Sequence, residues 1–278
     1  MIRALALAAL LLPFSVHAED LNPVKDAGPY VPSPQSVVSD MLRYAEVGPS
    51  DFLIDLGSGD GRIVLTAAKI FGARGFGVEI KEDLVRRSNE AAQKEGLADR
   101  VKFLKQDLFK TDMSQATVIT MYLLPDTVNL LKDKFLSELK PGTRIVSHDY
   151  PLTGWIPEKY VQMDLEDKVQ ISGVTTTLIY LYVVPARVAG NWSAQMPPGV
   201  SKQPATLQLK QQLTRVSGSA RLDGKDVPLE DVKLRGDRIS FRLSGRRGEF
   251  SGQVKGSNIE GVMETGRAKA PWSATLGG

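Results

Sequence analysis

Residues 52–63 read Phe-Leu-Ile-Asp-Leu-Gly-Ser-Gly-Asp-Gly-Arg-Ile. The apolar run Phe52-Leu53-Ile54 leads into Asp55-Leu56, and Gly57, Gly59 and Gly61 follow before an apolar pattern at helical spacing. That order fits a strand, a tight glycine turn and a helix start. Glycine lets the backbone turn sharply and lets a ligand approach it with no Cβ in the way. The free N–H groups of the following helix point at whatever sits over the turn. Glu79 stands twenty residues after Gly59, at the end of a second apolar run, Phe76-Gly77-Val78. A carboxylate there can accept hydrogen bonds from both hydroxyls of a ribose. The spacing predicts a nucleoside over the carboxyl edge of a parallel sheet.

A dinucleotide fingerprint would place its third glycine at position 62, which is Arg62. Asp55 before the turn would also repel a pyrophosphate, whereas it can pair with a cationic ligand. A nicotinamide oxidoreductase is therefore the weaker reading. The pattern Asp55-Leu56-Gly57-Ser58-Gly59-Asp60-Gly61 resembles the first motif of class I S-adenosylmethionine methyltransferases. That family carries an acidic residue at the end of its second strand and an Asp after the third. Glu79 and Asp107, the latter in Val-Lys-Phe-Leu-Lys-Gln-Asp, occupy those places here. The resemblance implies S-adenosyl-L-methionine as cofactor. Asp55 and the turn residues Gly57, Ser58 and Gly59 would hold its methionine part, Glu79 its ribose, and Asp107 with Leu108 its adenine. An ordinary strand-to-helix turn is the plain alternative.

The 278 residues suffice for one large or two ordinary domains, and 42% apolar with 24% charged residues suits a globular chain. There is no Cys, and His17 and His148 are the only histidines. Disulfides and thiolate sites are excluded, and no metal is expected. The opening MIRALALAALLLPFSVHA has Arg3, an apolar run to Leu12, Pro13, and a small-residue site ending at Ala18. It predicts a signal over 1–18 and export to the periplasm or outside, with an uncleaved membrane anchor as the alternative.

Residues 19–50 read as a polar, proline-rich loop and then a helix from Ser36 to Val47, poised to fold over a cofactor or serving as a plain connector. From Asp51, strands fit at 52–57, 76–80, 101–106, 117–123 and 143–149, and helices at 61–72, 82–95 and 126–139. Two late strands fit near 159–165 and 174–184. Alternation of this kind calls for a doubly wound, mostly parallel α/β sheet over 51–186. The methyltransferase resemblance implies an antiparallel last strand.

Beyond residue 186 the texture changes. Residues 187–278 hold 13 of the 25 glycines and carry 15 Lys/Arg against 8 Asp/Glu, a balance of +7. Short alternating runs, separated by turn signals such as Asp223-Gly224, predict an all-β barrel or sandwich. Its basic character has no assigned role, and no nucleic-acid partner is expected.

Methyl transfer from a sulfonium is an in-line displacement, and alignment alone can contribute on the order of 7–11 kcal/mol. In the family, residues after the fourth strand line the acceptor pocket, which here implies Tyr122 in Met121-Tyr122-Leu123-Leu124-Pro125. Its ring or hydroxyl would face an amine. The alternative makes it a buried strand residue. His148 falls at the carboxyl edge of the fifth strand, near the same pocket. Ser147-His148-Asp149 has the composition of a catalytic triad, but consecutive strand residues face opposite ways. A narrower resemblance adds Tyr30-Val31-Pro32-Ser33-Pro34 to the glycine motif. It is to the small lysine methyltransferases of mitochondrial inner-membrane proteins, over roughly residues 30–150, and it implies Tyr30 at the cofactor and a protein substrate in the cell envelope. A small-molecule methyltransferase, or a non-catalytic cofactor-binding sensor, stands as the alternative.

Overall fold

The computed structural model describes residues 29–277; the signal expected at 1–18 lies outside the described residues. The chain runs through α1 (Gln35–Tyr44), β1 (Phe52–Leu56), α2 (Arg62–Phe71), β2 (Arg74–Glu79), α3 (Glu82–Lys94) and β3 (Val101–Lys105). A 3₁₀ turn (Leu108–Lys110) then precedes β4 (Val118–Met121), α4 (Pro125–Leu130), α5 (Lys132–Glu138) and β5 (Arg144–His148). β6 (Lys159–Asp164), α6 (Glu166–Ser172) and β7 (Thr176–Val183) complete the first unit. Its seven strands make one sheet in the order β3-β2-β1-β4-β5-β7-β6. β1 to β5 are parallel, whereas β7 is antiparallel to both β5 and β6. The order reverses at β1, so a crevice opens between the carboxyl ends of β1 and β4.

Side-chain alternation explains the two buried faces. Leu53, Val118 and Val146 pack with Val37, Met41, Val64 and Ala67 of α1 and α2. Their neighbours Ile54, Ile119 and Ile145 pack with Val128 and Phe135 of α4 and α5. Strands covered on both faces read as near-continuous apolar runs, which is why the sequence revealed them.

Two elements of this first unit differ from expectation. The helix predicted over 126–139 is two helices meeting at Leu131, with Pro125 in the first turn of α4. The seven residues of α6, between β6 and β7, were not anticipated at all.

The second unit comprises β8 (Gly190–Gln195), β9 (Ala205–Gln212), β10 (Arg215–Leu222), β11 (Lys225–Arg235), β12 (Arg238–Leu243), β13 (Glu249–Lys255), β14 (Asn258–Thr265) and β15 (Ala268–Leu276). They form a closed antiparallel barrel, with β15 paired to β8 and β9 to β10. Closure leaves no free sheet edge. Trp192, Leu207, Phe241, Phe250 and Trp272 fill the interior. Asp223 and Gly224, both at positive φ, make the two-residue turn from β10 to β11.

The barrel meets the sheet at the edge away from the crevice. Ala186 N–H donates to Gly236 O at 2.7 Å, and a Cβ on Gly236 would lie 3.0 Å from Gly142 Cα, just before β5. Arg235 Nε donates to both carboxylate oxygens of Glu158 at 2.8 Å.

Candidate active site

A cleft of about 940 Å³, including its open mouth, lies over the turn between β1 and α2. Gly57, Gly59 and Gly61 take φ of +74°, +53° and +80°, a region L side chains avoid. Gly59 has a second constraint: a Cβ there would stand 2.5 Å from the Tyr30 ring. The segment Pro29–Ser33 thus crosses directly above the turn and forms one wall of the cleft. Two ties hold it. Ser33 Oγ is 2.8 Å from His148 Nδ1, and Arg62 Nη1 donates to Ser33 O at 2.8 Å. Arg62 also grips Asp60 through Nε and Nη2, at 2.9 and 2.6 Å. The residue that breaks the dinucleotide fingerprint therefore clamps the loop to the turn.

Asp55 is buried, with Thr120 Oγ1 donating to its Oδ1 at 2.7 Å. Burial pushes its carboxyl up to about 7, against the Thr120 hydrogen bond, and Asp60 and Glu79 add to the rise. A buried carboxylate lacking a cation is costly, so an incoming ammonium would be well matched to it. Ser58 Oγ is also buried and has no hydrogen-bond partner among the described residues. The Glu79 carboxylate accepts from Gly59 N–H at 3.1 Å through Oε2, and from Ile80 and Lys81 N–H through Oε1. Asp107 Oδ1 accepts from Phe109 N–H at 2.8 Å, starting the 3₁₀ turn that presents Leu108. Tyr30, Asp55, Gly57, Ser58, Gly59, Glu79, Asp107 and Leu108 all line this one cleft. These carboxylates and the glycine cradle fit S-adenosylmethionine: an anionic pocket for its amino group, an acidic residue for its ribose, an apolar shelf for its base.

Tyr122, one residue past β4, lines the same cleft. Its hydroxyl donates to Asp149 Oδ2 at 3.0 Å. Burial first, then the Asp149 charge, hold the phenol far above its ordinary range, so it keeps its proton. His148 does not line the cleft. It is fully buried behind Tyr122, with ring centroids 3.9 Å apart, and burial brings its imidazole down to about 4. It supports Tyr122 and the Ser33 tie from behind, in contrast to the acceptor-side place its strand position suggested. Ser147 Oγ donates to Tyr150 O at 2.5 Å and takes no part with His148.

Sequence reasoning missed Asp149 and Lys168. Asp149 has φ of +63°, which takes it out of strand alternation and brings its carboxylate under Tyr122. Lys168, from α6, donates to its Oδ1 and Oδ2 at 2.7 and 2.6 Å. The Ser-His-Asp run hinted at Asp149; nothing nearby in sequence marks Lys168. Among the described residues no cluster of His, Cys, Asp and Glu is arranged to hold a metal ion.

A cofactor cleft at the switch point of a seven-stranded sheet with an antiparallel β7 defines a class I methyltransferase fold. Residues 55–159 match the family model of the ANTKMT methyltransferase domain. A protein-lysine N-methyltransferase of Saccharolobus islandicus is 41% identical over 157 residues, covering 56% of this chain and 93% of that one. An adenine nucleotide translocase lysine N-methyltransferase of Mus musculus is 33% identical over 135 residues, covering 49% of this chain and 58% of that one. The chain therefore spans little more than half the length of this second relative. Among solved structures, an RNA methyltransferase from Salinibacter ruber in complex with S-adenosyl-L-homocysteine is 43% identical, covering 57% of this chain and 96% of that one, with a TM-score of 0.51. The chain belongs to the class I S-adenosylmethionine-dependent methyltransferases, in the family of these enzymes. It is an enzyme whose cofactor is S-adenosyl-L-methionine.

Proposed function

We propose that this enzyme methylates lysine side chains of protein. The observation that carries the reading is Tyr122, a tyrosine bordering the cofactor cleft just past β4, in a chain 41% identical to a protein-lysine N-methyltransferase. The bound cofactor supplies an electrophilic methyl group on a sulfonium. Asp55, Gly57, Ser58 and Gly59 hold its methionine part, Glu79 the ribose hydroxyls, and Asp107 with Leu108 the adenine. Tyr30 closes the cleft from above, kept there by Ser33, His148 and Arg62. Tyr122 borders the acceptor, and its ring face suits a cationic or freshly methylated amine by about 0.5–2 kcal/mol.

The acceptor we propose is a protein of the cell envelope, reached because residues 1–18 act as an export signal or, alternatively, as an anchor. Supporting that reading are Arg3, the apolar run to Leu12 and the small-residue site at Ala18. N-terminal sequencing of the protein from fractionated cells separates the two: Glu19 at the start means cleavage, a retained Met1 in membranes means an anchor. A retained Met1 in the soluble fraction contradicts both.

Transfer of radiolabelled methyl from the cofactor into fractionated cell protein and RNA tests the activity. Label recovered as methyl-lysine after protein hydrolysis is the expected result. RNA is the second reading, favoured by the Salinibacter ruber relative; label confined to nucleotides would overturn the lysine assignment.

A further inference from the structure

We propose that Asp149 and Lys168 fix the Tyr122 hydroxyl as a hydrogen-bond acceptor toward the cleft, and so favour a methyl acceptor that presents a donor, as the N–H of an amine does. The assignment rests on the lysine reading and deepens it. A phenol has one proton and two acceptor lone pairs. Tyr122 lines the cleft and gives that proton to Asp149 Oδ2 at 3.0 Å, a residue that does not line it. The phenolic oxygen can then only accept from whatever stands in the cleft.

The arrangement is held from several sides. Lys168 Nζ bonds both carboxylate oxygens of Asp149, and Leu178 N–H donates to Oδ1 at 3.0 Å. Lys168 is itself 2% exposed and donates to Thr176 O at 2.5 Å. Rotating the Tyr122 hydroxyl toward the cleft would break a charge-assisted bond, the stronger kind. Burying an ammonium with a carboxylate is a poor way to gain stability, because desolvation offsets the attraction. A buried ammonium paired with a part-buried carboxylate directly behind a cleft tyrosine therefore points to a use at the cleft.

A lysine ε-ammonium that has lost one proton to solvent is a neutral amine, and that form fits what the cleft presents. One N–H donates to the Tyr122 oxygen, which fixes the nitrogen and leaves its lone pair to aim at the methyl carbon. In the transfer, that lone pair forms the N–C bond while the S–C bond breaks and its electron pair returns to sulfur. The methylammonium formed then loses a proton to solvent. Tyr122 touches the acceptor in this scheme; Asp149 and Lys168 are positioning residues.

The test measures initial rates of methyl-lysine formation on cell protein with wild type, Tyr122→Phe, Asp149→Asn and the double variant. Cofactor affinity by calorimetry and thermal unfolding serve as controls. Tyr122→Phe should lower the maximal rate by about tenfold, the order of one lost hydrogen bond, with cofactor Kd unchanged. Asp149→Asn should cost at least as much in the wild-type background, because a carboxamide N–H can donate to the phenol and turn its proton to the cleft. It should cost little more in the Tyr122→Phe background, since the group it orients is gone. An equal cost in both backgrounds would make Asp149 merely structural and overturn the proposal. A wild-type rate in Tyr122→Phe would overturn it too, and decides alone where Asp149→Asn does not fold. No methyl-lysine from wild type would overturn the lysine reading and this assignment with it.

Discussion

Two buried groups in the site titrate in opposite directions. Asp55 is held up to about 7 from 3.8, so between those values the folded chain keeps a proton that the unfolded chain has lost, and stability falls as pH rises. His148 is brought down to about 4 from 6.5, so the unfolded chain holds the extra proton and stability rises with pH. Each effect is on the order of 3–4 kcal/mol at full extent, and between pH 4 and 6.5 the two slopes oppose. Asp55→Asn should remove one slope: urea unfolding should show stability rising from pH 4 to 6.5, and a more stable protein than wild type at pH 8. His148→Gln should show the reverse, stability falling from pH 4 to 7. Curves parallel to wild type in both would contradict the burial argument. Wild-type cofactor affinity should fall by up to about tenfold per pH unit below 7, because Asp55 must lose its proton to face the amino group.

Among the elements, the loop at 29–34 has most to do with the cofactor and least with the core. Ser33→Ala removes the contact to His148 and should cost only about 1–2 kcal/mol of stability. It should nonetheless weaken S-adenosylmethionine binding several-fold, chiefly by faster release, measured by stopped flow; unchanged release would mean the loop closes without that tie. The central strands were legible because both their faces are buried, and Gly57 to Gly61 because the turn needs positive φ. Asp223-Gly224 marked its hairpin for the same reason. Other features depend on distant contacts. β8 begins at Gly190 with only Trp192 and Ala194 pointing inward, too little alternation to declare a strand. α6 is seven residues long, and its Lys168 faces inward to a carboxylate nineteen residues away. Strand alternation would turn Asp149 away from its neighbour's pocket, and its positive φ breaks that alternation. His148 stands at the strand end the sequence predicts, but its depth behind Tyr122 goes with a distant contact, to Ser33 in the loop before α1.

At the scale of the whole molecule, the barrel sits on the sheet edge opposite the cleft, so it leaves the acceptor's approach open. The two cores divide near Pro185: Val184 packs with the sheet, whereas Ala186 and Val188 pack in the barrel, and Leu213 of the barrel reaches across to the sheet's core. Pro185 is therefore the place to part them. Residues 29–185 expressed alone should keep wild-type affinity for the cofactor, and 185–277 should give a β-type circular dichroism spectrum and a cooperative melt. A barrel begun at residue 190 lacks two core side chains and should melt lower. Loss of cofactor binding by the first fragment would show that the barrel supports the site.

The most direct measurement is calorimetric titration of S-adenosylmethionine into wild type, Asp55→Ala and Gly57→Val. Wild type should bind one equivalent. Asp55→Ala removes the carboxylate that meets the cofactor's amino group. Gly57→Val puts a branched side chain into a turn at φ +74°, where even a Cβ would lie 2.8 Å from Leu123 Cδ2. Both variants should remain folded by circular dichroism and lose measurable binding. Wild-type affinity in both, or no binding by wild type, would contradict the placement of the cofactor over this turn.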